Sequence, residues 1–156
     1  MVRPATTLDV DIFKEKLRYA DKLEIDAGSE MTPEEALLEG IQLSIPCYVA
    51  FWKGEPLCIY GVVPTGIPGD PMQYGNVWMF GTDLIDTIGI QFLRSSRAWF
   101  DVLMEQYDGL GNAVDARNTV HIKWLEWLGF EFLPPVNMGV YSLPFIPFYR
   151  CNVQNV

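Results

Sequence analysis

The chain has 156 residues, of which 49% are hydrophobic and 13% aromatic. A chain of this size and composition can bury most of its apolar surface, so we expect one domain spanning residues 1–156. The 20 acidic and 11 basic residues give a net charge of −9. This charge repels polyanions, and no apolar stretch approaches the roughly 20 residues that cross a bilayer. We therefore expect neither nucleic acid nor a membrane to be a partner.

The N-terminus and the cysteines indicate the compartment. Residues 1–7 lack the apolar run of a secretory signal, which predicts an intracellular protein. The cysteines are Cys47, Cys58 and Cys151, and their spacing fits neither a zinc site nor a disulfide framework. We expect reduced core thiols and no metal.

The first half of the chain predicts a strand, two helices and a hairpin. Residues 2–5 can form a short edge strand, followed by an amphipathic helix that ends before Gly28. Thr32, Pro33 and Glu35 are typical of a capped helix start, and this second helix should run to about Ser44. The β-prone runs 47–52 and 57–63 flank a turn sequence, which predicts a β-hairpin.

The second half alternates strands and helices. Residues 64–75 hold three prolines and three glycines, so we expect an exposed excursion there. A strand over 76–81 should precede a long helix from about residue 86 to before Gly109. A strand over 113–116 and a helix over 119–128, closed by Gly129, should follow. Two late strands, 130–133 and 145–150, complete the pattern, with 134–139 as their connection.

The resulting order, β-α-α-β-β-β-α-β-α-β-β, resembles that of the GCN5-related N-acetyltransferases, the GNAT family. Residues 2–9 resemble the strand and turn that open many members, and residues 118–130 resemble the late helix, which begins at Asn118 and is closed by Leu128, Gly129 and Phe130. The resemblance implies an α/β (α+β) fold with a mixed, mostly antiparallel central sheet flanked by about four helices. Strands 76–81 and 113–116 should then be adjacent and parallel, and should diverge toward their C-terminal ends.

The same resemblance implies where a cofactor would bind. In active GNAT enzymes acetyl coenzyme A lies between the two central strands, with its pyrophosphate on backbone N–H groups at the start of the long helix. This places Thr87, Gly89 and Asn118 as the cofactor-binding residues. Leu84 stands where the family has Arg or Gln, and Asp83 and Asp86 flank the loop with negative charge that opposes a pyrophosphate.

The catalytic residues are not assigned by the sequence. Leu125 occupies the position of the family's frequent tyrosine acid, so water or another group, such as Tyr107 or Tyr141, would have to donate the proton. His121, the only histidine, is expected to be an exposed or capping residue. We expect Asp115 and Arg117 to form a local ion pair.

A narrower resemblance links the chain to the acetyltransferase-like internal virion proteins of short-tailed bacteriophages. It rests on residues 80–83, 114–118 and 124–130. It implies a noncatalytic or weakly catalytic protein of virion structure or assembly, present in the host cytoplasm and in the virion, whose partners are other virion or morphogenesis proteins. No cofactor is then expected. The alternative is an active N-acetyltransferase that uses acetyl coenzyme A.

A partner surface has two candidate regions. The apolar run 143–149 predicts either an exposed interface or a final strand that completes the core. The excursion 64–75 is the second region, because long irregular segments are often functional. The anchors expected for a partner are Tyr74, Phe145 and Phe148.

Overall fold

The computed structural model describes residues 1–66 and 68–152. Within these residues the chain forms one eight-stranded sheet and six helices. The strands are Val2–Pro4 (β1), Cys47–Trp52 (β2), Glu55–Pro64 (β3), Tyr74–Gly81 (β4), Gly109–Asp115 (β5), Glu131–Phe132 (β6), Val136–Met138 (β7) and Leu143–Cys151 (β8). The helices are Asp9–Phe13 (α1), Tyr19–Ser29 (α2), Pro33–Leu43 (α3), Leu84–Ile88 (α4), Ile90–Met104 (α5) and Thr119–Trp127 (α6).

The sheet has the strand order β1-β2-β3-β4-β5-β8-β6, and β7 also pairs with β8. Every pairing is antiparallel except that of β4 with β5, which is parallel. The expected mixed, mostly antiparallel sheet is therefore confirmed, as is the parallel placement of the two central strands.

The core lies on both faces of this sheet. On one face Phe92 and Phe100 of α5 and Trp124 of α6 pack against Met79 and Val114 of the central strands. On the other face, α1, α2 and α3 contribute side chains such as Phe13, Ile25 and Leu37, which pack on β2 and β3. Val77 and Met79 of β4 pack on the first face and Trp78 and Phe80 on the second, because successive side chains of a strand point to opposite faces.

Several local predictions are confirmed. The Thr32 side chain accepts the Glu35 N–H, and Glu35 accepts the Thr32 N–H, so α3 begins with a complete capping box. The hairpin of β2 and β3 forms as expected. Gly129 follows α6 with a φ of 86°, the left-handed stop that its position predicts.

Two predicted helices are each divided in the structure. The first breaks between α1 and α2 because Leu17 bridges to Thr82 and the Arg18 N–H donates to the Gly81 carbonyl, which draws the chain out of the helix. Gly28 lies inside α2 and does not end it. The long third helix is interrupted at Gly89, whose φ of 39° and ψ of −101° separate α4 from α5.

Other boundaries also differ. β3 extends to Pro64 and β4 begins at Tyr74, so the irregular excursion is shorter than expected; Ile67 within it lies outside the described residues. The connection 134–139 contains β7, which pairs with β8. Cys58 is buried and Cys47 half-buried, but Cys151 is exposed, so the core-thiol prediction is wrong for Cys151. None of the helices in the described part of the chain could cross a membrane.

Candidate active site

The central strands β4 and β5 separate at one end of the sheet. Their pairing covers Tyr74 with Gly109, Gly75 with Leu110 and Asn76 with Gly111. Beyond this point β4 continues to Gly81 and β5 to Asp115 without a further pair. The strands therefore open a gap between their C-terminal halves, and the predicted divergence is confirmed.

Side chains from outside β4 bond to its backbone in this gap. The Asn112 amide donates to the Val77 carbonyl at 3.0 Å, and the Gly81 N–H donates to Asp21 Oδ2 at 2.9 Å. Because alternate residues of a strand direct their peptide groups to the same side, Met79 faces the gap as well. The backbone of β4 is therefore hydrogen-bonded at both ends of the gap, at Val77 and at Gly81. The peptide group of Met79 faces the gap between these two points.

A buried polar cluster lies at the open end of the gap. It consists of Arg18, Asp21, Glu24, Asn118 and His121. The Arg18 guanidinium lies 3.4 Å from the Asp21 carboxylate, and the Asn118 amide donates to Asp21 at 3.0 Å. Glu24 accepts the Asp115 N–H at 2.8 Å. The cluster therefore joins α2 to β4, to β5 and to the start of α6.

The environment of the cluster disfavours the charged forms of Glu24 and His121. Burial raises the pKa of Glu24 to about 8, and the nearby carboxylates of Asp21 and Asp115 add to this effect. Burial also lowers the pKa of His121, against the attraction of Asp21. These directions favour a protonated Glu24 and a neutral imidazole at neutral pH.

Three polar atoms of the cluster are buried without a hydrogen-bond partner. They are Arg18 Nε, Asn118 Oδ1 and His121 Nδ1, and within the described residues no other buried side-chain nitrogen or oxygen shares this condition. Buried polar groups are nearly always satisfied, so a concentration of exceptions at one place marks a site that protein atoms alone leave incomplete.

A cavity of about 380 Å³ opens on the sheet face covered by α2 and α3. Trp78 and Phe80 of β4 form part of its wall, and Phe145 of β8 closes one side. Glu24 and Glu39 contribute carboxylates to an otherwise largely apolar lining. The cavity can therefore hold a molecule that combines an apolar body with a cationic group.

A second cavity, of about 290 Å³, lies on the opposite side, between the start of α5 and α6. Its lining is mostly apolar and includes Phe92, Trp124 and Gly89, with Asp86 and Lys123 as the charged residues. Arg18 Nε lies 3.7 Å from the Asp86 carboxylate, which partly offsets the negative charge there.

The predicted cofactor residues are distributed over these features. Gly89 lines the second cavity, and Thr87 is exposed nearby on α4. Asn118 is buried in the polar cluster, where its side chain bonds to Asp21 instead of capping α6. His121 is also buried there and packs on Trp124, so the expectation of an exposed or capping histidine is wrong.

The remaining candidates lie elsewhere. Leu125 is buried in the core, and the Tyr107 hydroxyl donates to the Ile45 carbonyl. Asp115 and Arg117 form the predicted ion pair, at 2.7 Å. Tyr141 is exposed, and its bond to Asp26 raises its pKa.

The three aromatic anchors differ in exposure. Phe145 and Phe148 are buried, so β8 completes the core, which is the second of the two alternatives for this run. Tyr74 is 38% exposed. Partner binding through these residues stays a prediction.

Sequence reasoning missed Arg18, Asp21 and Glu24. They recur every three residues, which places them along one side of the chain as α2 begins. This three-residue spacing was the sign in the sequence that the three side chains could form one site. It was not interpreted in that way because charged residues near a helix start normally face solvent.

Neither a protein-family model nor a curated protein matches the sequence. Solved structures do match. A ribosomal-protein-alanine N-acetyltransferase from Brucella melitensis superposes with a TM-score of 0.70 at 17% identity, over 97% of this chain and 99% of that one. The aminoglycoside acetyltransferase AAC(6')-Ib, in complex with ribostamycin and coenzyme A, gives 0.68 at 16% identity, over 99% and 94%.

A third structure extends the comparison. An acetyltransferase of the GNAT family from Streptococcus pneumoniae superposes with a TM-score of 0.64 at 14% identity, over 97% of this chain and 98% of that one. Similarity at this level of identity defines a fold. The chain has the GNAT fold.

Proposed function

We propose that the chain is an N-acetyltransferase that uses acetyl coenzyme A and acts as a single domain. The observation that carries this proposal is the gap between β4 and β5, with a cavity on each side of the sheet. One cavity would take the acyl donor and the other the amine acceptor. The solved structures with coenzyme A bound to the same fold support this assignment.

The 290 Å³ cavity would bind the acyl donor through backbone N–H groups and few charged side chains. The first turn of α5 contains no acidic residue, so its N–H groups can face a pyrophosphate. A Cβ added at Gly89 would meet no atom within 4 Å, which leaves open space beside that helix start. Lys123 supplies a positive charge at the same cavity. Thr87, Gly89 and Asn118 remain the proposed donor-binding residues.

The acceptor side would bind an amine. The carboxylate of Glu39 attracts an ammonium group, the Glu24 carboxyl group can accept a hydrogen bond from it, and Trp78 offers an aromatic face for the same charge. Glu39 can accept the proton that the ammonium loses. The amine nitrogen then forms a bond to the acetyl carbon and releases a second proton to solvent, and the carbon–sulfur bond breaks. Leu125 cannot protonate the departing thiolate, so water or another group must do so.

Titration calorimetry with acetyl coenzyme A, combined with a thiol-release assay on a panel of amines, tests the proposal. We expect a micromolar dissociation constant, about −8 kcal/mol. Gly89→Glu should weaken binding by about tenfold or more, because it places a carboxylate beside the pyrophosphate. Gly54→Glu is the matched control, since Gly54 also has a positive φ but lies in the β2–β3 turn and lines neither of the two cavities.

Saturable binding together with thiol release that depends on an added amine would support the enzyme. Absence of both would contradict it. Binding without release would identify a coenzyme A-binding protein that lacks transfer activity, and would also contradict the proposal. An equal effect of the two glutamate variants would remove Gly89 from the site.

A second candidate is a noncatalytic GNAT-fold protein of a bacteriophage virion. The observation that favours it is the buried Leu125 at the position of the family's tyrosine acid. Such a protein would act in the host cytoplasm during assembly and in the virion, through contacts with other virion proteins. Retrieval of phage structural proteins that Tyr74→Ala abolishes and Tyr141→Ala leaves intact would support it, because both tyrosines are exposed.

A further inference from the structure

Asp21, Glu24 and His121 bring potential metal ligands together inside the chain. Each offers one ligand atom, and these atoms all lie within 4.8 Å of one another. Asp21 and His121 are buried, and Glu24 is half-buried at the wall of the 380 Å³ cavity. Ligands bound to one metal ion lie roughly 3 to 4 Å apart, so a small contraction would bring all three into contact with a common ion.

The charges of the cluster leave room for a cation. Arg18 is an ion-pair partner of Asp21, but its contacts to that carboxylate are long, 3.4 and 3.5 Å. An ionised Glu24 adds a second carboxylate that Arg18 does not neutralise. A buried carboxylate pair requires either a proton or a further positive charge.

The buried atoms that lack a hydrogen-bond partner help to decide between a proton on Glu24 and a bound cation. His121 is 6% exposed and Asn118 1% exposed, yet His121 Nδ1 and Asn118 Oδ1 have no hydrogen-bond partner. Both residues belong to the cluster that holds the carboxylates, since Asn118 bonds to Asp21 and His121 supplies the third ligand atom. A proton on Glu24 can be donated to Asn118 Oδ1, which lies within its reach, but it leaves His121 Nδ1 unsatisfied. A metal ion would use an imidazole nitrogen, and an amide oxygen can complete its coordination.

We propose that Asp21, Glu24 and His121 form a binding site for one divalent transition-metal ion, with Asn118 as an additional oxygen ligand. One imidazole and two carboxylates suit Zn²⁺ and its neighbours in the first transition row, whereas Mg²⁺ and Ca²⁺ prefer oxygen alone. Glu24 reaches the 380 Å³ cavity, which provides a route for the ion. The ion would fasten α2 to the start of α6 across the open end of the gap.

The proposed metal site shares Glu24 and Asn118 with the proposed acetyltransferase site, but metal binding tests it separately from acetyl transfer. The full chain, treated with a chelator and exchanged into metal-free buffer, is titrated with ZnCl₂ by calorimetry. We expect one equivalent to bind. Because His121 is the only histidine, its imidazole NMR signals report the site directly, and they should shift until one equivalent is added.

Variants separate this site from adventitious binding. His121→Gln and Glu24→Gln should each weaken Zn²⁺ binding by about a hundredfold or more, since each removes a ligand. Glu39→Gln removes the other carboxylate of the same cavity and should leave affinity unchanged. Cys151→Ser removes the exposed thiol and should also have no effect.

Unchanged imidazole signals at one equivalent of Zn²⁺ overturn the proposal, whatever the calorimetry gives. Affinity that Cys151→Ser abolishes overturns it as well, because the metal then binds the exposed thiol. If a glutamine variant fails to fold, the imidazole titration of the unaltered chain still decides. A stoichiometric shift of these signals supports the site.

Discussion

The carboxylate of Asp21 accepts the backbone N–H of Gly81 at 2.9 Å, although the two residues are 60 positions apart. Asp21 also accepts a bond from Asn118 and faces Arg18. One fully buried carboxylate therefore holds α2 against the end of β4 and against α6. The gap between the central strands owes its shape at this end to that carboxylate.

Asp21→Ala should accordingly be among the most damaging substitutions. It leaves Arg18 buried without its carboxylate and leaves the Gly81 N–H without an acceptor, which together cost about 3–5 kcal/mol of unfolding free energy. Urea denaturation measures this loss. Asp11→Ala is the control, because Asp11 forms an exposed ion pair with Lys14 at 3.1 Å and such pairs contribute little. Equal losses for both variants would contradict the role given to Asp21.

The stability of the fold should fall at acid pH through two other carboxylates. Burial by itself would raise the pKa of Asp9, but bonds from Arg3 and from the Thr6 N–H lower it. Burial is likewise outweighed by bonds from Arg117, which lower the pKa of Asp115. Both groups therefore stay charged in the folded state at a pH where the unfolded chain binds protons.

The sign of the effect follows from linkage. A lowered folded pKa stabilises the fold above the unfolded value, about pH 4, and this contribution is lost as pH falls through the folded value. Urea midpoints measured from pH 7 to pH 2 should decline below about pH 4. Asp9→Asn should flatten that decline, whereas Asp83→Asn, which removes an exposed carboxylate, should not. A decline of the same steepness in Asp9→Asn would contradict the assignment.

Much of the fold was predictable because its signals are local. The capping box of α3 needs only Thr32, Pro33 and Glu35, and the stop after α6 needs only Gly129. The parallel pairing of β4 with β5 was implied by the resemblance to the GNAT N-acetyltransferases. The first two features depend only on neighbours in sequence, which can be read without coordinates.

The polar cluster could not be predicted in the same way. It joins Asp21 to Asn118 over 97 positions, and no local pattern shows that the two will meet. The break at Gly89 was missed because Phe92, Ser96 and Trp99 continue the helical spacing on its far side. The break is set by backbone torsion angles at one residue, on which the spacing of apolar side chains gives no information.

Gly40 in α3 provides a test of the packing beside the 380 Å³ cavity. A glycine within a helix normally lowers stability, so replacement by alanine should help. At Gly40, however, the added Cβ would lie 2.6 Å from the Trp78 ring, whose Nε1–H donates to Ser44 at 2.8 Å. Because the half-buried Trp78 ring is held by this hydrogen bond and packs on Phe80, we expect Gly40→Ala to cost about 1–3 kcal/mol.

Gly28 is the matched control for that substitution. It also lies inside a helix, but its Cβ would meet Phe145 at an ordinary 3.7 Å. Gly28→Ala should therefore stabilise the chain by about 0.5–1 kcal/mol. Thermal unfolding followed by tryptophan fluorescence compares the two variants. A gain in stability for both would show that Trp78 has room to move. The close contact between Gly40 and the Trp78 ring would then contribute nothing to stability.

Gly139 is the glycine that should tolerate replacement least. It follows β7 with a φ of 76°, and an added Cβ would overlap the backbone carbonyl oxygen of Ala27 in α2. Neither atom belongs to a flexible side chain, so the collision can be relieved only by moving β7 away from α2. Met138 of β7 and Gly28 of α2 both line the 380 Å³ cavity, and the movement should widen it.

Gly69→Ala separates the collision from the backbone strain. Gly69 has a φ of 88°, but its added Cβ would meet no atom within 4 Å. Both alanine variants carry a left-handed penalty of about 1–2 kcal/mol, and Gly139→Ala should cost about 1–3 kcal/mol more. Urea denaturation of the two variants measures the difference. If Gly139→Ala is no less stable than Gly69→Ala, the contact between the β7 turn and α2 is loose, and the cavity it borders does not have a fixed wall on that side.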